Sequence, residues 1–181
     1  MSETQPYSKE WYENQKHGAF KSAEIILPIV IDLVSPKIFS DAEYSDERSK
    51  NRFSPKSVVD VGSGVGMWLA CFQTLGVKDI LGIDGDYITE EQLHIPKEKY
   101  LNIDISKPFN IDKKADLVIS LEVGEHLPDS SAEGFVESLT KIAPIVLFSA
   151  AIPHQPGTAH INCQWPEYWA ILFKKFGRIQ K

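Results

Sequence analysis

The run Val58-Val59-Asp60-Val61-Gly62-Ser63-Gly64-Val65-Gly66 decides the fold. Three of its first four residues are valine, the composition of a buried strand. Three glycines at alternate positions follow, and then an apolar stretch, 67–75, with helical character that closes at Gly76. Glycine tolerates positive φ and lets a ligand approach the backbone. A helix placed directly behind it offers amide groups and a partial positive charge. A second strand over 79–83 leads into Asp84, 22 positions after Gly62. In nucleotide-binding α/β folds an acid about 20 residues past the glycines accepts hydrogen bonds from ribose hydroxyls. Strand, glycines, helix and acid agree on a nucleotide-type ligand, where isolated glycines would mean only a tight turn.

The same alternation continues on both sides of this run. Further short apolar strands are expected at 99–103, 116–121 and 145–149, and helices at 130–142 and 166–176, the last with Pro166 in its first turn. Upstream, 22–34 reads as an amphipathic helix, kinked at Pro28 where a backbone donor is lost. Between that helix and the first strand, 40–55 is polar and mixed in charge, a surface loop. Strands alternating with helices specify βαβ units, hence an α/β fold with a doubly wound, mostly parallel sheet.

Composition narrows the function classes. The chain has 181 residues, 43% of them hydrophobic and 24% charged, which suits one globular domain. A net charge of −6 gives no strong pull toward nucleic acid or an anionic membrane. Two distant cysteines, Cys71 and Cys163, argue against a disulfide scaffold or a cysteine-based zinc site, and a cytoplasmic location fits. The polar first residues lack the blocks of a signal peptide, and the apolar run 25–34 is too short to span a bilayer.

The series DxGxGxG (Asp60, Gly62, Gly64, Gly66), GIDGD, NIDI and DLVISLEVGEHLP resembles the class I S-adenosylmethionine-dependent methyltransferases, most closely the small-molecule branch. GxGxG spacing departs from the GxGxxG dinucleotide fingerprint, which lowers an NAD or nucleotide-sugar alternative. The DNA amino-methylating enzymes carry an (Asn/Asp/Ser)-Pro-Pro-aromatic motif where this chain has Leu121-Glu122-Val123-Gly124. The resemblance implies a Rossmann-like fold and S-adenosylmethionine as cofactor. It implies that Asp60, Gly62, Ser63, Gly64 and Gly66 line the methionine and ribose pocket. Asp84 would hold the ribose hydroxyls, with Gly85 at the pocket edge, and Asp104 and Ile105 would meet the adenine. Leu121, Glu122 and Val123 would close the floor under the sulfonium. It divides the single domain, 1–181, into N-terminal cap helices (1–36), the polar loop, a cofactor-binding core (57–150) and an acceptor-side loop with the last helix (151–181).

The acceptor side is less determined. Glu122, Glu125 and His126 are the titratable groups nearest the cofactor. Glu125 or His126 is a candidate base, although capping the loop before Pro128 explains them equally well. The segment 151–169, A-x-P-x-Q-x-G-x-x-H-x-N-x-Q-W-P-x-Y-W, is similar to one in a group of uncharacterised bacterial and phage-type methyltransferases. There His160 and Asn162 are candidates to position or deprotonate a polar acceptor, and Trp169 is expected to pack. No metal site is expected: for a His154/His160 pair no third ligand stands at a convincing spacing. Tyr7, Tyr12 and Ser22 are candidates to touch cofactor or acceptor.

The full class I sheet has seven strands in the order 3-2-1-4-5-7-6, and only five are legible here. Strands 6 and 7 are expected to be missing. A fragment, a homodimer covering the fifth strand, or a minimal variant would each explain this. The expected function is methyl transfer to O, N or C of a small-molecule acceptor. Alternatives are cofactor binding without transfer, or cleavage of the cofactor on the same scaffold.

Overall fold

Valine, isoleucine and leucine occupy both faces of the central strands, the pattern of a parallel sheet covered on both sides. The computed structural model describes residues 9–34 and 54–178, the side chains of the first segment from residue 18 onward. Five strands, β1 (Ser57–Val61), β2 (Asp79–Asp84), β3 (Tyr100–Asn102), β4 (Leu117–Leu121) and β5 (Ile145–Ser149), pair in the order β3-β2-β1-β4-β5. Every pair is parallel, and the register sets Val59 beside Leu81 and Val118. The helices are α1 (Lys9–Val34), α2 (Met67–Thr74), α3 (Ala132–Ile142) and α4 (Pro166–Lys175).

Side chains alternate across each strand. Val58, Ile80, Leu117 and Ile119 turn to one face and pack with Ala23 and Leu27 of α1 and Leu69 and Phe72 of α2. Val59, Val61, Leu81, Ile83 and Val118 turn to the other and pack with Phe135 and Leu139 of α3. Each such side chain, fully buried, contributes about 1.5–3 kcal/mol of transfer free energy. A satellite cluster joins α3 to α4, with Ala132, Val136 and Trp169 at its centre. Trp169 is buried and lies 5.0 Å, centroid to centroid, from Phe148 of β5, so it packs as expected.

The strands fall where the sequence places them, with shifts of a residue or two at their ends. The largest difference is α1, which starts at Lys9 instead of residue 22 and contains both Gly18 and Pro28. A lone glycine costs a helix only about 1 kcal/mol and does not end it. Gly76 closes α2 as expected, at φ 91° with its amide on the Gln73 carbonyl. The polar loop lies outside the described residues up to position 53, as do Tyr7 and the side chain of Tyr12. The five strands follow the first five of the expected class I order, and every residue of β5 is half-buried. Among the described residues no helix is long and apolar enough to cross a membrane.

Candidate functional site

Chain connections leave β1 toward β2 on one side and reach β4 on the other, so a crevice opens at the carboxyl ends of the strands. A cleft of about 970 Å³ lies there. It takes residues from the ends of all five strands or the loops after them, and α1 lines it with Gly18, Ala19, Ser22 and Ile26.

The loop after β1 forms one wall through Gly62, Ser63 and Gly64. Its tight path is fixed by the Gly62 and Ser63 amides, both bonded to the Ile83 carbonyl (2.8 and 3.1 Å). Gly62 holds φ 81°, and a Cβ there would stand 2.3 Å from Cγ2 of Val123. The glycine is therefore required twice over, by backbone sign and by contact with the β4 loop. Gly66 sits at φ 84° at the N-cap of α2, facing Ile95 instead of the cleft. Asp60 is also absent from the lining. It is 3% exposed within β1, and burial holds its carboxyl well above the ordinary range, with Asp84 adding to the rise. These two expected cofactor residues thus do not line the cleft, and Gly66 braces its wall through an amide that donates to the Ser63 carbonyl (2.9 Å).

Asp84 ends β2 and lines the cleft with Gly85. Its Oδ2 accepts the Gly64 amide at 2.7 Å, and its Oδ1 accepts the Gly85 amide at 2.8 Å and the hydroxyl of Tyr87. Burial raises its carboxyl pKa, and the bonds from Tyr87, Gly64 and Gly85 oppose that rise. Asp104 and Ile105 line the cleft beyond β3. The Asp104 carboxylate is engaged within its own loop, by Lys107 at 2.7 Å and by the Ser106 hydroxyl and amide at 2.5 and 3.1 Å. Those partners, Lys107 first, hold its pKa down to about 2.

Leu121, Glu122 and Val123 all line the cleft after β4. Glu122 adopts φ 56°, a conformation L-residues pay to hold. It is tied there by Ser149, whose carbonyl accepts the Glu122 amide (3.0 Å) and whose hydroxyl donates to Oε1 (2.7 Å). Gln155 donates to Oε2 at 3.3 Å. A 3₁₀ turn, Gly124–His126, follows. Of the three candidate catalytic side chains only His126 lines the cleft.

Glu125 and His160 lie behind His126. Glu125 is 0% exposed, and neither carboxylate oxygen receives a well-formed hydrogen bond, the Glu125 and Ala151 amides reaching the group only weakly. Burial raises its pKa and Glu122 adds to the rise, while the amides of Glu125 and Ala151 and the His160 ring act the other way. His160 Nε2 stands 4.0 Å from Glu125 Oε1, and its ring meets that of His126 edge-on at 5.0 Å. The loop bearing His160 is docked by the Ile161 and Asn162 amides, which both donate to the Glu125 carbonyl (2.9 and 3.0 Å). Asn162 is buried, its Oδ1 accepting from Gln164. His154, exposed at φ 72°, is not part of this group. Burial pulls the His126 pKa down, so its ring favours the neutral form.

Sequence reasoning missed Tyr87, Trp68 and Ser149, all of which line the cleft. Tyr87 stands three residues past Asp84 in GIDGDY, the one signal that pointed to it. Ser22 lines the cleft as anticipated.

The family model described as a methyltransferase domain matches residues 39–150, more than half of the chain. The chain belongs to the methyltransferase-domain family. This methyltransferase domain is 26% identical over 155 residues to the mitochondrial ubiquinone biosynthesis O-methyltransferase of Dictyostelium discoideum, covering 75% of the chain and 46% of that relative. It thus spans about half the length of the curated relative it matches. An O-methyltransferase family protein from Burkholderia thailandensis superposes with a TM-score of 0.60 at 11% identity, covering 94% of this chain and 55% of its own. DesVI of Streptomyces venezuelae superposes at 0.50 and 17% identity, covering 77% and 54%. At those identities the likeness of this methyltransferase domain to the solved structures is one of fold.

Proposed function

We propose that this methyltransferase domain binds S-adenosylmethionine in the cleft and transfers its methyl group to O, N or C of a small-molecule acceptor. One observation carries the reading: a buried Asp84 carboxylate beside a glycine loop of positive φ, at the switch point of the sheet. Oδ1 of Asp84 already accepts from a hydroxyl, that of Tyr87, which is the donor type a ribose presents. Bound there, the cofactor supplies an activated methyl on a sulfonium. Gly62, Ser63, Gly64, Asp84 and Gly85 would hold its amino-acid and ribose parts, and Ile105 with Asp104 its base. Gly66, bonded to the Ser63 carbonyl, would hold that wall in place. Leu121, Glu122 and Val123 would wall the reacting end and keep water away from it. Acceptor-side chemistry rests on His126 at the cleft, with Glu125 and His160 behind it.

Calorimetry on the full chain with S-adenosylmethionine and S-adenosylhomocysteine tests the first half, with Asp84→Ala as the control. A methyl-transfer assay over phenols, alcohols and amines tests the second. Absence of binding to either compound, or acceptor-independent breakdown of S-adenosylmethionine, would overturn the reading. The acidic charge supports a small-molecule acceptor over nucleic acid, which a filter-binding measurement would check. We keep a cytoplasmic location as the expectation, to be tested by fractionating the cells that express it. The half-buried β5 supports a homodimer, which sedimentation equilibrium would detect.

A further inference from the structure

We infer that Glu125, His126 and His160 form a binding site for a divalent transition-metal ion at the edge of the cleft. One ligand atom from each lies within 4.8 Å of the other two. Their convergence is produced by the fold, because His160 lies 34 positions after His126 and the docking of the 151–165 loop closes that gap.

Three observations converge on an ion, and a fourth contact fixes the His160 ring. Glu125 is fully enclosed and neither oxygen receives a well-formed hydrogen bond, a state proteins normally avoid for a carboxylate. The Glu125 Oε1 to His160 Nε2 separation of 4.0 Å is too long for a hydrogen bond. It needs only a small closure to reach the roughly 3.3 Å between two ligands of one tetrahedral ion at about 2.0–2.1 Å. Nδ1 of His126 lies 3.2 Å from the Ala159 carbonyl, an acceptor, so the proton belongs on Nδ1 and the lone pair on Nε2. That backbone contact is the outer partner that orients metal-binding histidines. Gly157 packs on the His160 ring so closely that a Cβ there would be 2.1 Å from Nε2.

The donor set names the ion class. Two imidazoles and one carboxylate suit zinc, iron(II), cobalt or manganese, whereas magnesium and calcium favour oxygen alone. The Glu122 carboxylate, held nearby by Ser149 and Gln155, adds negative charge. Three protein ligands leave coordination positions open, and His126 belongs both to the triad and to the cleft wall. An acceptor oxygen is the natural occupant of such a position. That last step rests on the methyltransferase reading; the metal site itself does not.

The test uses the full chain, stripped with a chelator and titrated with zinc against a chromophoric competitor, and separately with cobalt. One equivalent of zinc is expected, together with visible cobalt d–d bands and a zinc-dependent rise in melting temperature. Glu125→Gln and His160→Ala should each lower zinc affinity at least tenfold to 100-fold, since even outer-shell partners cost about that much. His154→Ala should leave it unchanged. Should Glu125→Gln fail to fold, His160→Ala and the wild-type cobalt spectrum decide. No stoichiometric binding, or equal affinity in wild type and His160→Ala, would overturn the site. Calorimetry with S-adenosylmethionine on the same stripped chain separates this outcome from the fate of the methyltransferase reading.

Discussion

Gly62 carries two separable constraints, and mutation divides them. Gly62→Ala forces a side chain into φ 81° and drives its Cβ against Val123. The backbone part costs about 1–2 kcal/mol, and the clash adds to it. Adding Val123→Ala should recover the clash and leave the backbone part, which denaturant titration of both variants would resolve. Tyr87 poses the opposite case. Its hydroxyl occupies an acceptor position on Asp84 that a ribose would claim. Tyr87→Phe should therefore leave cofactor affinity unchanged or raise it a few-fold, and calorimetry showing a tenfold loss would refute that competition. Asp84 and the glycines were legible because their signal is local, a fixed spacing along 58–86. Asp60 and Gly66 share that spacing, yet strand alternation and the N-cap position turn them away from the cleft. Which way a motif residue faces is decided by φ and register, and the spacing alone does not carry it.

At the scale of elements, α4 and the turn Gly124–His126 are mechanically joined. A Cβ on Gly124 would stand 2.8 Å from the Trp169 ring, so the indole is the surface on which that turn rests. Trp169→Ala should cost about 3–5 kcal/mol of stability, as large core truncations do. It should also weaken metal binding by loosening Glu125 and His126. Equal zinc affinity in a folded Trp169→Ala protein would separate the two elements. Strand and helix order were readable from hydrophobic period, since each strand is a short apolar run between turn residues. Glu125, His126 and His160 were each readable as acceptor-side candidates, but their convergence on one point was not. Ligand spacing betrays a metal site only when one helix or loop carries the ligands, and here a strand, a helix-length of chain and a docked loop intervene. The start of α1 escaped for a simpler reason: residues 9–21 show no strong apolar face and include a glycine.

For the molecule as a whole, buried and exposed carboxylates pull stability in opposite directions with pH. Asp60, Asp84 and Glu125 hold their protons more tightly folded than unfolded. Their contribution is complete below about pH 4, where the unfolded groups titrate, and is lost as pH rises through the folded values. Asp104, held at about 2, contributes above pH 4 and loses that contribution as pH falls toward 2. Its side chain is 54% exposed, so solvent screening keeps its share small. Asp60→Asn removes one of the first kind. Melting temperatures of wild type and variant should diverge in the variant's favour between pH 4 and 7, and parallel curves would contradict this.

The paired amides on the Glu125 carbonyl carry a consequence in time. Ile161 is 65% exposed, yet its N–H is bonded inward, as is that of Asn162. In deuterium these two amides should exchange far more slowly than their neighbours in the loop, at a rate set by how often the loop lifts. Zinc should slow them further while leaving β1 and β4 unchanged. Exchange mass spectrometry would then make the docking of one loop a clock for the occupancy of the site beneath it.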